Sequence, residues 1–306
     1  MNKVAITGAT GFIGGALSKL LLNKGVKVYG IGIDINKLNL LCEQGDFVPI
    51  AASFNEYDSL SEKLPYGEID VFYHFAWQGL YGEYRGDYEL QLSNAKYACD
   101  AVMQAIKAGC RKFVFANTCS YFEIKSFMND DDFKPRNQHI YAMAKTSADL
   151  ISKTIAHKNN LLYCSSTISM AYGEYSSSQN LANIVIKKLL QNISPKLITG
   201  NSLYDLLYIT DTARALEAIG QAGIDKKTYY VGNRVLKTFK EQMTAIRDIV
   251  NPNVELLFGK YPDLQQIDYS LIDLDALYND TGFEAKADFA ESIRKTADWL
   301  KTTLND

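Results

Sequence analysis

Residues 4–22, VAITGATGFIGGALSKLLL, run from an unbroken apolar stretch through a glycine turn into a helix-patterned stretch. This order constrains the fold more than any other feature. An apolar run without alternation belongs to a strand buried on both faces, which is the habit of parallel sheets covered by helices. The turn reads Thr7-Gly8-Ala9-Thr10-Gly11-Phe12-Ile13-Gly14. Gly8 allows a sharp exit from the strand, Gly11 a close approach of backbone to a pyrophosphate, and Gly14 a close packing of helix on sheet. The helix N-terminus then points free amides at the phosphates. The expected dinucleotide contacts along the turn are Gly8, Thr10, Gly11, Phe12, Ile13 and Gly14.

The alternation continues. Strand patterns at 27–34, 71–77, 111–117 and 161–169 are separated by helical patterns, including 89–109, which closes on Gly109. The expected fold is α/β, a Rossmann-type doubly wound parallel sheet. After Ser169 the rhythm shortens, with a polar, turn-like stretch at 171–180, then helical patterns at 181–192 and 287–301. The expected division is a dinucleotide-binding core over 1–169 and a smaller, interleaved substrate lobe over 170–306, with some segments returning to the core. Asp34 ends the second strand, where a carboxylate accepts hydrogen bonds from the adenosine ribose and repels a 2′-phosphate. NAD(H) is therefore favoured over NADP(H).

Composition removes other classes. A net charge of −3 without a basic run offers nothing to a nucleic-acid backbone or an anionic membrane surface. No stretch is long and apolar enough to span a bilayer. The five cysteines, Cys42, Cys99, Cys110, Cys119 and Cys164, are scattered without a C-x-x-C pair, which fits reduced thiols in a cytoplasmic setting. Three dispersed histidines suggest no metal site.

Tyr141 and Lys145 lie four apart in a helical pattern and so share a face. A nearby ammonium favours the phenolate and lowers the phenol pKa. Tyrosine then gives a proton to a carbonyl, or takes one from a hydroxyl, as hydride moves. Thr118 follows the strand at 111–117, at the sheet edge where such folds bind ligands, and its hydroxyl can hold the reacting oxygen.

TGATGFIG, Asp34, YHFAWQG, the strand end before Thr118, YAMAK and AYGE follow one another as in extended short-chain dehydrogenases/reductases. The chain resembles the NAD-dependent epimerase/dehydratase family of nucleotide-sugar enzymes over nearly its whole length, through YDLLYITDTARAL to the final helix. The resemblance implies Tyr141 as acid/base, Lys145 on the nicotinamide ribose and Thr118 on the substrate oxygen. It places His74 and Ala76 along the cofactor and Ser53 and Phe54 at the adenine. Trp77, Tyr172, Asn180 and Leu181 fall on the substrate side. The tyrosine-rich loop 79–91 with Arg85 suits a sugar face or a phosphate.

The chain also departs from the family pattern. Phe122-Glu123 replace a usual Tyr-Gly, and Glu174 a usual proline. Tyr204-Asp205 stand where many relatives carry a diphosphate-binding arginine, leaving Lys187, Lys188, Arg214 and Arg234 as substitutes. Cys119-Ser120 replace the Asp-Glu pair of the dehydratases. The expected activity is reduction of a nucleotide-activated 4-keto-(6-deoxy)sugar. A 4-epimerase with retained NAD is the alternative, and a cofactor-binding regulator without turnover is a third. Relatives pair two helices across a two-fold axis, so a homodimer is expected.

Overall fold

The computed structural model describes residues 1–128, 134–176, 180–263 and 267–304. Residues 177–179 of the expected polar turn lie outside them. The first strand, β1 (Lys3–Thr7), runs through the glycine turn into α1 (Phe12–Asn23). β2 (Lys27–Gly32), α2 (Ile35–Cys42) and β3 (Phe47–Ala51) follow, then a 3-10 helix at Phe54–Lys63 and β4 (Val71–His74). A second 3-10 turn, Gly82–Gly86, leads to α3 (Tyr88–Lys107) and β5 (Lys112–Thr118). Then come α4 (Ser120–Phe127), α5 (Asn137–Lys158) and β6 (Leu162–Ile168).

Beyond β6 the elements alternate between two bodies. β7 (Met170–Tyr172), α6 (Leu181–Leu190), β8 (Leu203–Tyr204) and β9 (Leu206–Tyr208) build the smaller lobe. α7 (Ile209–Ala222) and β10 (Thr228–Val231) return to the large sheet. β11 (Lys237–Thr238) and α8 (Phe239–Val250) go back to the lobe. α9 (Ala276–Thr281) packs beside α7, and α10 (Phe289–Leu304) closes the lobe against α6 and α8.

The large sheet has the order β10-β6-β5-β4-β1-β2-β3, and every pairing is parallel. The doubly wound fold read from the alternation is the one observed. One face is covered by a core including Val4, Ile6, Leu17, Leu21 and Leu216, the other by one including Phe72, Phe113, Ala98, Ala148 and Tyr163. Small residues at Ala98, Ala101, Ala105, Ala144 and Ala148 bring α3 and α5 close together over the second face. Lys112 is buried, and its ammonium donates to the carbonyls of Ile219, Gly220 and Gly223, tying β5 to the C-terminal end of α7.

The strand expected over 71–77 stops at His74. Its continuation is drawn out of the sheet by Thr7, whose hydroxyl binds His74 Nδ1 at 2.9 Å and accepts the Ala76 amide at 3.4 Å. Trp77 then turns to α3, donating its indole N–H to Gln91 at 2.8 Å. The carboxyl ends of β1, β4 and β5 therefore open as one edge, with the glycine turn on one side and the α5 face on the other.

Candidate active site

The glycine turn is built for close approach. Gly8 has φ +70°, and a Cβ there would lie 3.1 Å from the Ala76 nitrogen. A Cβ on Gly14 would stand 2.2 Å from the Gly8 carbonyl oxygen, so only glycine lets α1 start this near the strand end. Gly11 is the N-cap of α1, and no side chain caps the helix. The first turn, which holds Phe12, Ile13 and Gly14, contains no acidic residue. Thr10 and Gly11 flank a helix end whose amides are left for an anion. This cradle fits a dinucleotide pyrophosphate.

Asp34 N-caps α2, its Oδ1 accepting from the Asn36 and Lys37 amides at 3.0 and 3.2 Å. Its other oxygen lies 3.9 Å from Lys37 Nζ. The carboxylate is thus fixed at the end of β2, where an adenosine ribose is read. In a titration of the apoprotein, NADH is expected to bind more tightly than NADPH. Tighter NADPH binding would show that Lys37 outweighs Asp34. Ser53 caps the first 3-10 helix with Glu56, and Phe54 stacks on Tyr57 at 5.1 Å between centroids.

His74 is buried, with its ring stacked near Phe113 and Phe115. Burial, aided by the Lys145 charge, pushes its pKa down to about 3, so the imidazole is neutral. Among the described residues its Nε2 has no hydrogen-bond partner. Its Thr7 bond is what ends β4, and the ring is part of the wall behind Lys145 rather than a surface group.

α5 carries Tyr141, Lys145 and Asp149 at steps of four, on one buried stripe. Asp149 accepts from Tyr163 (2.8 Å), Asn117 (3.0 Å) and Ser165 (3.0 Å). Asn117 in turn accepts the Thr118 amide at 2.8 Å. Lys145 donates to the Ala116 carbonyl at 2.7 Å. Two ties thus fix the end of β5, and with it Thr118, against the Tyr141 face of the helix. The Asp149 and Asn117 positions carry no sequence motif; helical spacing from Lys145 is the one signal, and it points to Asp149 alone.

Lys145 Nζ lies 4.2 Å from the Trp77 ring centroid and 5.0 Å from that of Phe115. Burial lowers its pKa to about 7, against the raising effect of Asp149. Tyr141 is 5% exposed and meets Trp77 edge-on at 6.2 Å. Burial raises its phenol to about 12, while Arg85 and the neighbouring Thr118 hydroxyl pull it back down. Thr118, Tyr141, Lys145, Trp77 and Arg85 are therefore brought together at one mouth of the sheet.

Other expected substrate residues sit apart in the smaller lobe. Tyr172 is buried on β7 against Tyr208 and Phe289. Asn180 N-caps α6 through the Asn183 amide, and Leu181 packs on the lobe's core. Asp205 is buried, accepting from the Tyr230 hydroxyl and from Asn233. Arg214 pairs with Asp211 and Arg234 with Asp275, so both substitute arginines are engaged. Lys187 and Lys188 form no ion pair among the described residues. Glu123 contacts Arg136 and lies 3.2 Å from His139, pinning α4 to the first turn of α5.

A glycine cradle at β1 and a Tyr–Lys pair with a threonine hydroxyl at the end of β5 define a nicotinamide-dependent enzyme on a Rossmann-type sheet. A family model described as "NAD dependent epimerase/dehydratase family" matches residues 4–232, and the chain belongs to that family. The chain is 22% identical to an uncharacterized protein, MJ1055, of Methanocaldococcus jannaschii, over 98% of this chain and 96% of that one. It is 24% identical to CDP-abequose synthase of Yersinia pseudotuberculosis, over 85% of this chain and 88% of the relative. Among solved structures, UDP-glucuronic acid 4-epimerase from Bacillus cereus superposes with a TM-score of 0.80 at 19% identity, covering 98% of this chain and 99% of that one.

Proposed function

We propose that the chain reduces the 4-keto group of a nucleotide-activated sugar, most simply a 4-keto-6-deoxysugar. The observation that carries this reading is a phenol and a hydroxyl, Tyr141 and Thr118, beside a buried lysine, with no carboxylate at positions 119 and 120. Elimination of water needs an acid and a base next to the sugar. The nearby carboxylates have other partners, Glu123 on Arg136 and His139, and Asp149 on Asn117, Tyr163 and Ser165. Reduction needs only a proton donor and an oxygen-holding group. The relationship to CDP-abequose synthase supports the same substrate class.

Held at the Gly8–Gly14 turn, NADH would supply hydride to the carbonyl carbon. Thr118 holds the carbonyl oxygen by hydrogen bonding, and Tyr141 delivers the proton to it. Lys145 would hold the nicotinamide ribose and, when charged, favour the tyrosinate left after proton transfer. The wall of Trp77, Phe115 and His74 keeps water from the ammonium.

The test is cofactor stoichiometry. Purified protein mixed with NADH and a nucleotide-4-keto-6-deoxysugar is expected to oxidise one NADH per sugar reduced. Interconversion of C4 epimers on co-purified cofactor, with no net oxidation, would assign a 4-epimerase instead.

We further propose that the protein is a homodimer. α3 and α5 leave Leu92, Met103, Leu150 and Ile151 exposed at 37–60% although the inner faces of both helices are buried. Two-fold pairing of the same patch covers them. Light scattering at micromolar concentration is expected to give twice the chain mass, and a monomer mass would contradict the pairing.

A further inference from the structure

Loop 79–87 is not a loose surface connector. Gln91, fully buried on α3, donates to the Gly79 and Tyr84 carbonyls, and its oxygen accepts the Trp77 indole. Asn94, also buried, bonds both the amide and the carbonyl of Gln78. The loop turns at Gly79 and Gly82, with φ +69° and +65°. At Gly86 it comes so near α5 that a Cβ would lie 2.9 Å from the Asn137 Cβ. The platform presents Arg85 to the α5 face. Arg85 donates through Nε to the Leu80 carbonyl at 2.7 Å, and its guanidinium lies 4.6 Å from the centroid of the Tyr141 ring.

We propose that Arg85 is a second cation of this site, pressed onto Tyr141 to favour its charged form, and that it acts as a positioning residue through the phenol rather than as a substrate clamp. The proposal rests on Tyr141 being the proton donor. Lys145 alone is poorly placed for the task. Its ammonium is turned to the Ala116 carbonyl and the Trp77 face, and burial brings its pKa to about 7, so near neutral pH it carries only part of a charge. A guanidinium stays protonated throughout the working range. Among the described residues no carboxylate pairs with Arg85. Around the phenol, Arg85 is the largest influence favouring ionisation, ahead of the Thr118 hydroxyl. Among the described residues, the other groups facing Tyr141 are Tyr81 from the loop, Trp77 after β4, Cys119 between β5 and α4, and Lys145 on its own helix. Tyr81 and Cys119 oppose the phenolate.

The test reads the phenol directly. Tyrosine is replaced throughout by 3,5-difluorotyrosine, which brings buried phenols into a titratable range, and the Tyr141 fluorine signal is assigned by its loss in Tyr141→Phe. In the apoprotein, Arg85→Gln is expected to raise the Tyr141 midpoint by about one unit, a tenfold gain in proton affinity. Arg85→Lys, which keeps a charge, is expected to restore about half of that. With substrate, Arg85→Gln is expected to lower kcat and move the pH profile while KM stays within about twofold. An unmoved midpoint in an Arg85→Gln protein that melts like the wild type overturns the proposal. So does a raised KM with an unmoved pH profile, which would assign Arg85 to substrate binding. If the wild type turns over no nucleotide sugar, the functional reading fails, while the apoprotein titration still decides the role of Arg85.

Discussion

Tyr141→Phe is expected to lower turnover by about 10²–10⁴-fold, the usual contribution of a positioned general acid. The fold is expected to survive. The ring is what packs against Trp77 and Arg85, and Phe keeps the ring. Loss of the hydroxyl removes the proton donor of the pocket. Thr118 is not acidic enough, Lys145 faces the Ala116 carbonyl, and His74 is held neutral by burial. Steady-state kcat with saturating NADH and sugar nucleotide measures the effect, and unfolding midpoints control for the fold. Turnover within about threefold of wild type would remove Tyr141 from the chemistry.

Gly14→Ala is expected to weaken NADH binding by more than tenfold, or about 1.4 kcal/mol, and to lower stability as well. The added Cβ would stand 2.2 Å from the Gly8 carbonyl oxygen and 3.0 Å from its carbon. Both obstacles are backbone, so α1 must move away from the strand end, carrying the amides of its first turn out of place. Gly15→Ala is the control. Its nearest neighbour would be the Ala9 carbonyl oxygen at 3.5 Å, an ordinary contact, and its binding is expected to stay near wild type. Cofactor titration and thermal unfolding of the two variants separate crowding at the cradle from a general loss of helix entropy. Equal NADH affinity in wild type and Gly14→Ala would show that the turn does not hold the cofactor.

The parts of the site legible in the sequence are those set by local rules. The glycine turn is written in contiguous residues, because Gly11 and Gly14 answer to contacts within their own strand–turn–helix unit. Tyr141 and Lys145 share a face because helical spacing alone puts them there. The parallel sheet follows from apolar runs alternating with helical patterns, and β10 joined its edge although it arises late in the chain. What the sequence does not show is set by pairs distant in the chain. Asp149 reads as an unremarkable helical carboxylate until Tyr163, Asn117 and Ser165 converge on it. Arg85 reads as a polar loop residue until Gln91 and Asn94 fix its loop over Tyr141. His74 reads as a strand-end group, but Thr7, 67 residues away, draws its ring into the core. The helix α4 is not legible in the sequence because Phe122 and Glu123 gain their reasons from outside it: Tyr230 on β10, and Arg136 with His139 at the start of α5.

The most direct measurement of the central claim is a crystal structure of Tyr141→Phe with NAD and a nucleotide-activated sugar bound. The account predicts the C4 oxygen within about 3.2 Å of the Thr118 hydroxyl and pointed at the edge of ring 141, where the phenol oxygen would be. It also predicts the nicotinamide carbon about 3–3.5 Å from C4, with the pyrophosphate over Gly11 and Phe12. A sugar held with its C4 oxygen away from Thr118 and ring 141, or with another ring carbon at the nicotinamide, would contradict it.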